Sequence, residues 1–297
     1  MSVDGILNVF KPVGPSSFQV VAIIRRWSGE KKVGHAGTLD PQASGTFPVF
    51  LGQATKLMPY ILETSKSYRA VIELGLATDT YDGEGKVTRR GDASAVTLEQ
   101  VETALRAFKG GSVWQKPPPF SAIKKDGQRM YKLARAGIAV ELAPRQVEVM
   151  GLEITRWQPP LVTIDLECGR GFYLRSVAHD LGEALGCGGY LKELVRTKYG
   201  IFTADTAVAM PRLEEAFTAG ELSPFILPLD SVLSGLRSLE MNEVETRIVR
   251  NGRPLPLRAR GEVGERARAY TPEGRFLGIL RFKGQFWHPE RLFLPRT

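Results

Sequence analysis

Two hydrophobic periods alternate along the chain, and each change of period marks an element. In residues 17–27 the apolar Val20, Ile23, Ile24 and Trp27 fall at i, i+3, i+4 and i+7, the stripe of an amphipathic helix, with Ser16 placed to cap it. Residues 5–10 read as a short strand that the turn Lys11-Pro12-Val13-Gly14-Pro15 joins to this helix. Residues 33–45 show no period and are rich in glycine, so a loop is expected. Residues 46–51 are an apolar run, and 67–76 alternate, with Tyr68, Ala70, Ile72 and Leu74 on one face. Thr97 and Gln100 form a capping box ahead of the stripe Val101, Leu105 and Phe108, a helix that Gly110-Gly111 ends. Beyond an extended Pro117-Pro118-Pro119, the pattern predicts a helix over 128–136, strands over 146–156 and 161–168, and a helix over 172–185.

Strands and helices mix without a strict βαβ rhythm, which predicts an α+β fold: a mixed, mostly antiparallel sheet with flanking helices. Residues 222–235, punctuated by Pro224, Pro228 and Gly235, read as a linker. A large domain over residues 1–229 and a small β domain over 236–297 are expected, the latter with a hairpin turn at 270–275 and a return strand over 277–282.

Composition is that of an ordinary globular protein, with 43% hydrophobic and 24% charged residues among 297. No apolar run approaches the ~18 residues that span a bilayer. The first eleven residues lack the order of a signal peptide, so a cytoplasmic location is expected. Cys168 and Cys187 are isolated and read as buried thiols. The net charge of +8 favours a polyanionic partner and is unevenly spread. The last 62 residues carry 13 basic against 7 acidic side chains, and 12 of those 13 are arginine, whose planar fork suits phosphate.

His35, His179 and His288 are scattered, and no zinc, dinucleotide or Walker-type motif is present, so no metal or cofactor is expected. What remains is the string 34–45, which presents a carboxylate, Asp40, between glycines and ahead of a rigid proline, Pro41.

That string, Gly34-His35-Ala36-Gly37-Thr38-Leu39-Asp40-Pro41-Gln42-Ala43-Ser44-Gly45, resembles the nucleophile loop GH-x-G-x-LDP-x-A-x-G of the bacterial tRNA pseudouridine-55 synthases, the TruB family. Further blocks agree in the same order. Lys11-Pro12-Val13-Gly14-Pro15-Ser16-Ser17 is similar to the family's KPxGxSS, Ser67-Tyr68-Arg69 to its aromatic strand, and Thr78-Asp79-Thr80-Tyr81-Asp82-Gly83 to its TDTxDxxG. Residues 118–124 resemble PPxYSAxK with Phe120 in place of tyrosine, and Gly171-Phe172-Tyr173-Leu174-Arg175-Ser176 resembles GTYIRS. The likeness runs over about residues 3–205 and is loose in the tail.

The resemblance implies that a uridine of tRNA is flipped out and isomerised without cofactor. Asp40 would be the nucleophile, attacking the anomeric carbon or carbon 6 of uracil, or helping to form a glycal. Arg175 would be the cation that keeps its charge in a dry pocket, and Tyr68 the aromatic that stacks on the base. It further implies that His35 fills the gap left by the flipped base, and that Asp82, Tyr173 and Leu194 line the substrate pocket. Lys11, with Lys31, Lys32, Lys124 and Lys125, lies in a predicted turn where it would meet phosphate. The tail corresponds in place to the family's PUA-type domain, which would grip the acceptor end of tRNA, the T arm being the target of a monomeric enzyme. The competing reading is a non-catalytic RNA-binding or tRNA-folding protein on the same scaffold. A guide-RNA-dependent synthase and a phosphoryl-acceptor role for Asp40 fit less well.

Overall fold

Local chemistry starts and stops each helix. Ser16 and Gln19 form a reciprocal capping box that begins α1 (Ser17–Ser28), and Gly29, at φ +66°, ends it. Thr97 and Gln100 do the same for α3 (Leu98–Leu105), which follows the short α2 (Met58–Leu62). The computed structural model describes residues 3–121, 124–125, 128–130, 142–256 and 261–294. The helix expected over 128–136 is overturned at its start, where Gln128–Arg129 pairs as a short strand with Lys124–Lys125; residues 131–136, Ala122 and Ile123, and the side chains of Lys124 and Lys125 lie outside the described residues.

The main sheet is built on seven principal strands: β1 (Gly5–Lys11), β2 (Ala43–Leu51), β3 (Lys66–Leu74), β4 (Gly111–Gln115), β5 (Arg145–Gln158), β6 (Leu161–Cys168) and β7 (Gly189–Tyr199). Its spatial order is Val208–Ala209, β1, β2, β7, β3, β6, β5, β4, and three short strands at Val33–His35, Phe202–Thr203 and Ile226–Leu227 bring the total to eleven. Pairing is antiparallel except for β1 with Val208–Ala209 and β2 with β7. The expected mixed, mostly antiparallel sheet is therefore observed.

Three expectations are corrected. Residues 33–45 are not loop throughout, because Val33–His35 pairs with β2, and Ala43 already pairs with Leu194. The supposed linker is woven into the fold, Ile226 and Leu227 pairing with Leu7 and Ile6 of β1. The central strand β7 was not anticipated at all: register shifts at Leu191/Glu193 and Arg196/Lys198 break the alternation that announces a strand.

One core lies under β3 and β6 and is covered by α3 and α4 (Leu174–Ala184); a second lies under β1 and β2 and is covered by α1 and α5 (Met210–Ala219). Tyr68 and Leu194 pack against both, which places them on the seam. The C-terminal sheet comprises β8 (Arg237–Glu240), β9 (Leu255–Pro256), β10 (Arg266–Tyr270), β11 (Phe276–Lys283) and β12 (Phe286–Leu292), with α6 (Glu243–Arg250) packed against it. The expected hairpin is present, Thr271 N–H donating to Arg275 O at 2.9 Å. A third core joins the two sheets, with Ile279 and Phe293 packed among Ile6, Phe50, Tyr199 and Leu233.

Candidate active site

The loop that carries Asp40 is locked by the block before α1. Ser17 Oγ donates to Leu39 O at 2.7 Å and accepts from Leu39 N–H at 2.9 Å, while Gly14 N–H donates to Pro41 O at 2.9 Å. Lys11 corrects the sequence expectation of a solvated phosphate-binding lysine. It is the last residue of β1, wholly buried, and its Nζ donates to Pro12 O, Pro41 O and Ala43 O at 2.9, 3.3 and 2.6 Å. Burial pulls its pKa down to about 8 against the opposing attraction of Asp40. Two glycines are required here. A Cβ on Gly45, at φ +106°, would meet Arg196 O at 2.2 Å, and one on Gly37, at φ +82°, would press on the Tyr199 ring at 3.0 Å.

The cation facing Asp40 comes from the start of α4. Gln115 holds that start in place of an N-cap, its side chain accepting from Tyr173 N–H at 2.8 Å and donating to Tyr173 O at 2.9 Å. Arg175 then directs Nε to Asp40 Oδ2 at 3.0 Å and Nη1 to Asp82 Oδ2 at 3.7 Å. It also donates to Thr80 O at 3.3 Å and Phe120 O at 2.9 Å. One guanidinium thus ties together four of the blocks singled out in the sequence. Asp82 is held by Thr80 Oγ1 and by Glu84 N–H, while Thr78 Oγ1 donates to its carbonyl at 2.7 Å. Tyr81, at φ +65°, stacks on His179 at 3.8 Å and shapes this turn.

Exposure separates the partners. The side chains of Arg175 and Asp82 are 8% and 9% exposed, while Asp40 is 43% exposed. Asp40 is the member of the cluster that an incoming group can reach. A narrow cleft is lined by Asp40, Asp82, Arg175 and Leu194, with Gln42 and Leu191. These four predicted site residues come together. The other predicted site residues do not line that cleft. Tyr68 lies in the sheet between Leu166 and Arg196, where burial raises its hydroxyl pKa against the opposing Arg196 charge, and Asp40 is within electrostatic reach. Burial likewise raises Tyr173, opposed by Arg175. His35 packs on Phe47 at 5.0 Å, and its pKa is lowered by burial and then by Arg196.

Sequence reasoning missed Arg196. It is fully buried, donates from Nε to Thr46 O at 2.9 Å and from Nη1 to Gly37 O at 3.2 Å, and lies 4.9 Å over the Tyr199 ring. It braces the Asp40 loop at Gly37, while Ser17 and Lys11 hold it at Leu39, Pro41 and Ala43. Its parity with Leu194, two residues earlier, was the available signal, hidden because β7 itself was not recognised.

Two family models match this chain in succession: the N-terminal domain of the TruB family pseudouridylate synthases over residues 25–174, and the tRNA pseudouridylate synthase B C-terminal domain over 175–234. The chain belongs to the TruB family. It is accordingly a pseudouridine synthase, an isomerase. Among relatives of this family, the chain is 43% identical over 296 residues to tRNA pseudouridine synthase B of Dehalococcoides mccartyi, covering 99% of this chain and 98% of the relative. It is 42% identical over 278 residues to the protein of that name from Geobacter sulfurreducens, covering 94% and 90%. The TruB fold is also that of a solved H/ACA ribonucleoprotein bound to a substrate RNA containing 2′-deoxyuridine. That match has a TM-score of 0.74 at 23% identity, covering 98% of this chain and 86% of the other.

Proposed function

We propose that this TruB-family chain isomerises uridine-55 in the T loop of tRNA to pseudouridine, with Asp40 as nucleophile. The observation that carries the reading is the Asp40–Arg175 pair at 3.0 Å, in which the exposed partner is the carboxylate. Support for a tRNA substrate comes from the relatives that bear the name tRNA pseudouridine synthase B over nearly the whole chain.

The reaction breaks the bond from ribose C1′ to uracil N1, turns the base, and joins C1′ to C5. C5 loses a proton and N1 gains one, so the product is an isomer and no electrons are exchanged. Attack at C1′, attack at C6 and the glycal route all call for the same carboxylate, which Arg175 Nε holds in place at 3.0 Å. The target base must leave its stack, at a cost of a few kcal/mol. Leu194, Asp82 and Tyr173 then border it, Tyr68 stacks from the floor of the sheet, and His35 fills the vacated space. Residues 1–229 hold this chemistry, and the arginine-rich sheet over 236–297 adds contacts to the acceptor arm of a tRNA bound by a monomer.

Tritium release from carbon-5-tritiated uridine in an unmodified tRNA transcript tests the reading, with Asp40→Asn as the comparison. The parent should release tritium and the variant should fall by about 10⁴-fold or more while still binding tRNA. Release that survives in Asp40→Asn would remove Asp40 as nucleophile. No release from the parent would leave a non-catalytic RNA-binding protein in its place.

A further inference from the structure

Helix α1 carries an exposed edge that neither the core nor the proposed chemistry uses. Phe18 is 73% exposed and Val13, in the turn just before the helix, is 63% exposed. Both sit beside the residues that lock the reactive loop, since Ser17 holds Leu39 by both backbone groups and Gly14 holds Pro41. The direction of the edge is also fixed. Phe18 and Arg25 are seven residues apart, on one face of the helix and about 10 Å along it. Arg25 Nη2 donates to Val33 O at 3.0 Å, so this edge borders the strand Val33–His35 and the loop beyond. On the opposite flank, Trp27 packs against Phe217 of α5 at 6.0 Å.

Charge continues the edge. Arg25, Arg26, Lys31 and Lys32 are exposed, and the single acid between Ser16 and Lys32 is Glu30, buried and accepting from Val3 N–H at 2.6 Å. An open aromatic beside the site, followed by cations with no exposed acid among them, is complementary to a single strand with bases and phosphates.

We propose that this edge of α1 is a track for the unpaired RNA flanking the target uridine. Phe18 stacks on a base next to the one taken into the site, with Val13 against it, and Arg26, Lys31 and Lys32 meet the phosphates that follow. The assignment rests on the proposed uridine isomerisation for the position of the target nucleotide. Every base has a π face, so Phe18 adds affinity and holds register without reading sequence.

The test is binding of an unmodified T-arm hairpin transcript to Asp40→Asn protein, in which turnover does not interfere. Adding Phe18→Ala should weaken binding about tenfold, and Phe18→Trp should restore it. Changing Arg26, Lys31 and Lys32 together to Gln should flatten the slope of log affinity against log salt by about 2. Parental affinity in Phe18→Ala, or an unchanged slope in the triple variant, overturns the assignment. Because Phe18 is largely exposed, a folding defect does not confuse the result. Failure of the parent to release tritium would instead strike the isomerisation, leaving this binding result to be judged by itself.

Discussion

Two buried arginines stand close to the same loop and are treated in opposite ways. Arg175 faces two carboxylates, Asp40 and Asp82, and two backbone carbonyls. Arg196 has no carboxylate partner among the described residues and rests on two carbonyls and the face of Tyr199. A buried charge without a counter-ion is expensive, and carbonyl dipoles and a ring face are what offset it here. The contrast separates two tasks. Arg175 holds the side chain of the proposed nucleophile, whereas Arg196 holds backbone, fixing where that side chain starts. Burial comes first in lowering the pKa of Lys11, His35 and Lys66, and the Arg196 charge adds to it.

Removing Arg175 should break this comparison hardest. Arg175→Met strands Asp82, nearly buried, without its cation. Breaking a buried pair costs roughly 3 to 5 kcal/mol, and the openness of Asp40 sets the loss near about 3 kcal/mol. Urea unfolding measures it, and a variant as stable as the parent would show that the pair holds nothing in place.

Arg196→Met should cost less. Thr46 O and Gly37 O lose their donors, about 1 to 3 kcal/mol, but an unpaired buried charge leaves with them. A loss larger than that of Arg175→Met reverses the ranking. Activity should nonetheless fall, because Gly37 lies three residues before Asp40.

The third effect is in pH. Lys11 has a folded pKa of about 8 against an ordinary value of 10.5, so between those limits the unfolded chain binds more protons and stability rises with pH. Lys66, also lowered to about 8 by burial, acts in the same sense, so Lys11→Met should reduce the rise without abolishing it. The clean window closes near 9, where the unfolded Cys168 thiol begins to ionise while burial holds the folded one up to about 12, and above 10 the buried Tyr68 and Tyr199 add to the reversal. A parent whose stability is flat from pH 8 to 9 contradicts the burial of these two ammonium groups.

Legibility in the sequence followed the range of the forces involved. The cap at Ser16, the capping box at Thr97 and the alternation of β6 depend on neighbours a few residues away, and the structure shows them where the pattern placed them. Asp40, Asp82 and Arg175 were readable because the motif blocks preserve their spacing, although only folding brings them within contact distance. Lys11 misled, since a lysine in a turn reads as solvated until three carbonyls converge on it. Arg196 and β7 stayed hidden for a shared reason: bulges scramble the period of the strand, and partners over a hundred residues away in β2 and β3 decide its place.

The position of β7 has a consequence for the nascent chain. It fits between β2 and β3, yet about 115 residues separate the end of β3 from its first residue. At a synthesis rate of roughly 5 to 20 residues per second, that is about 6 to 25 seconds in which the inner edges of two apolar strands have emerged without the partner that closes them. Open edges of this kind invite pairing with other chains, so the growing chain carries an aggregation liability on the ribosome until β7 emerges and gives the Asp40 loop a floor to rest on.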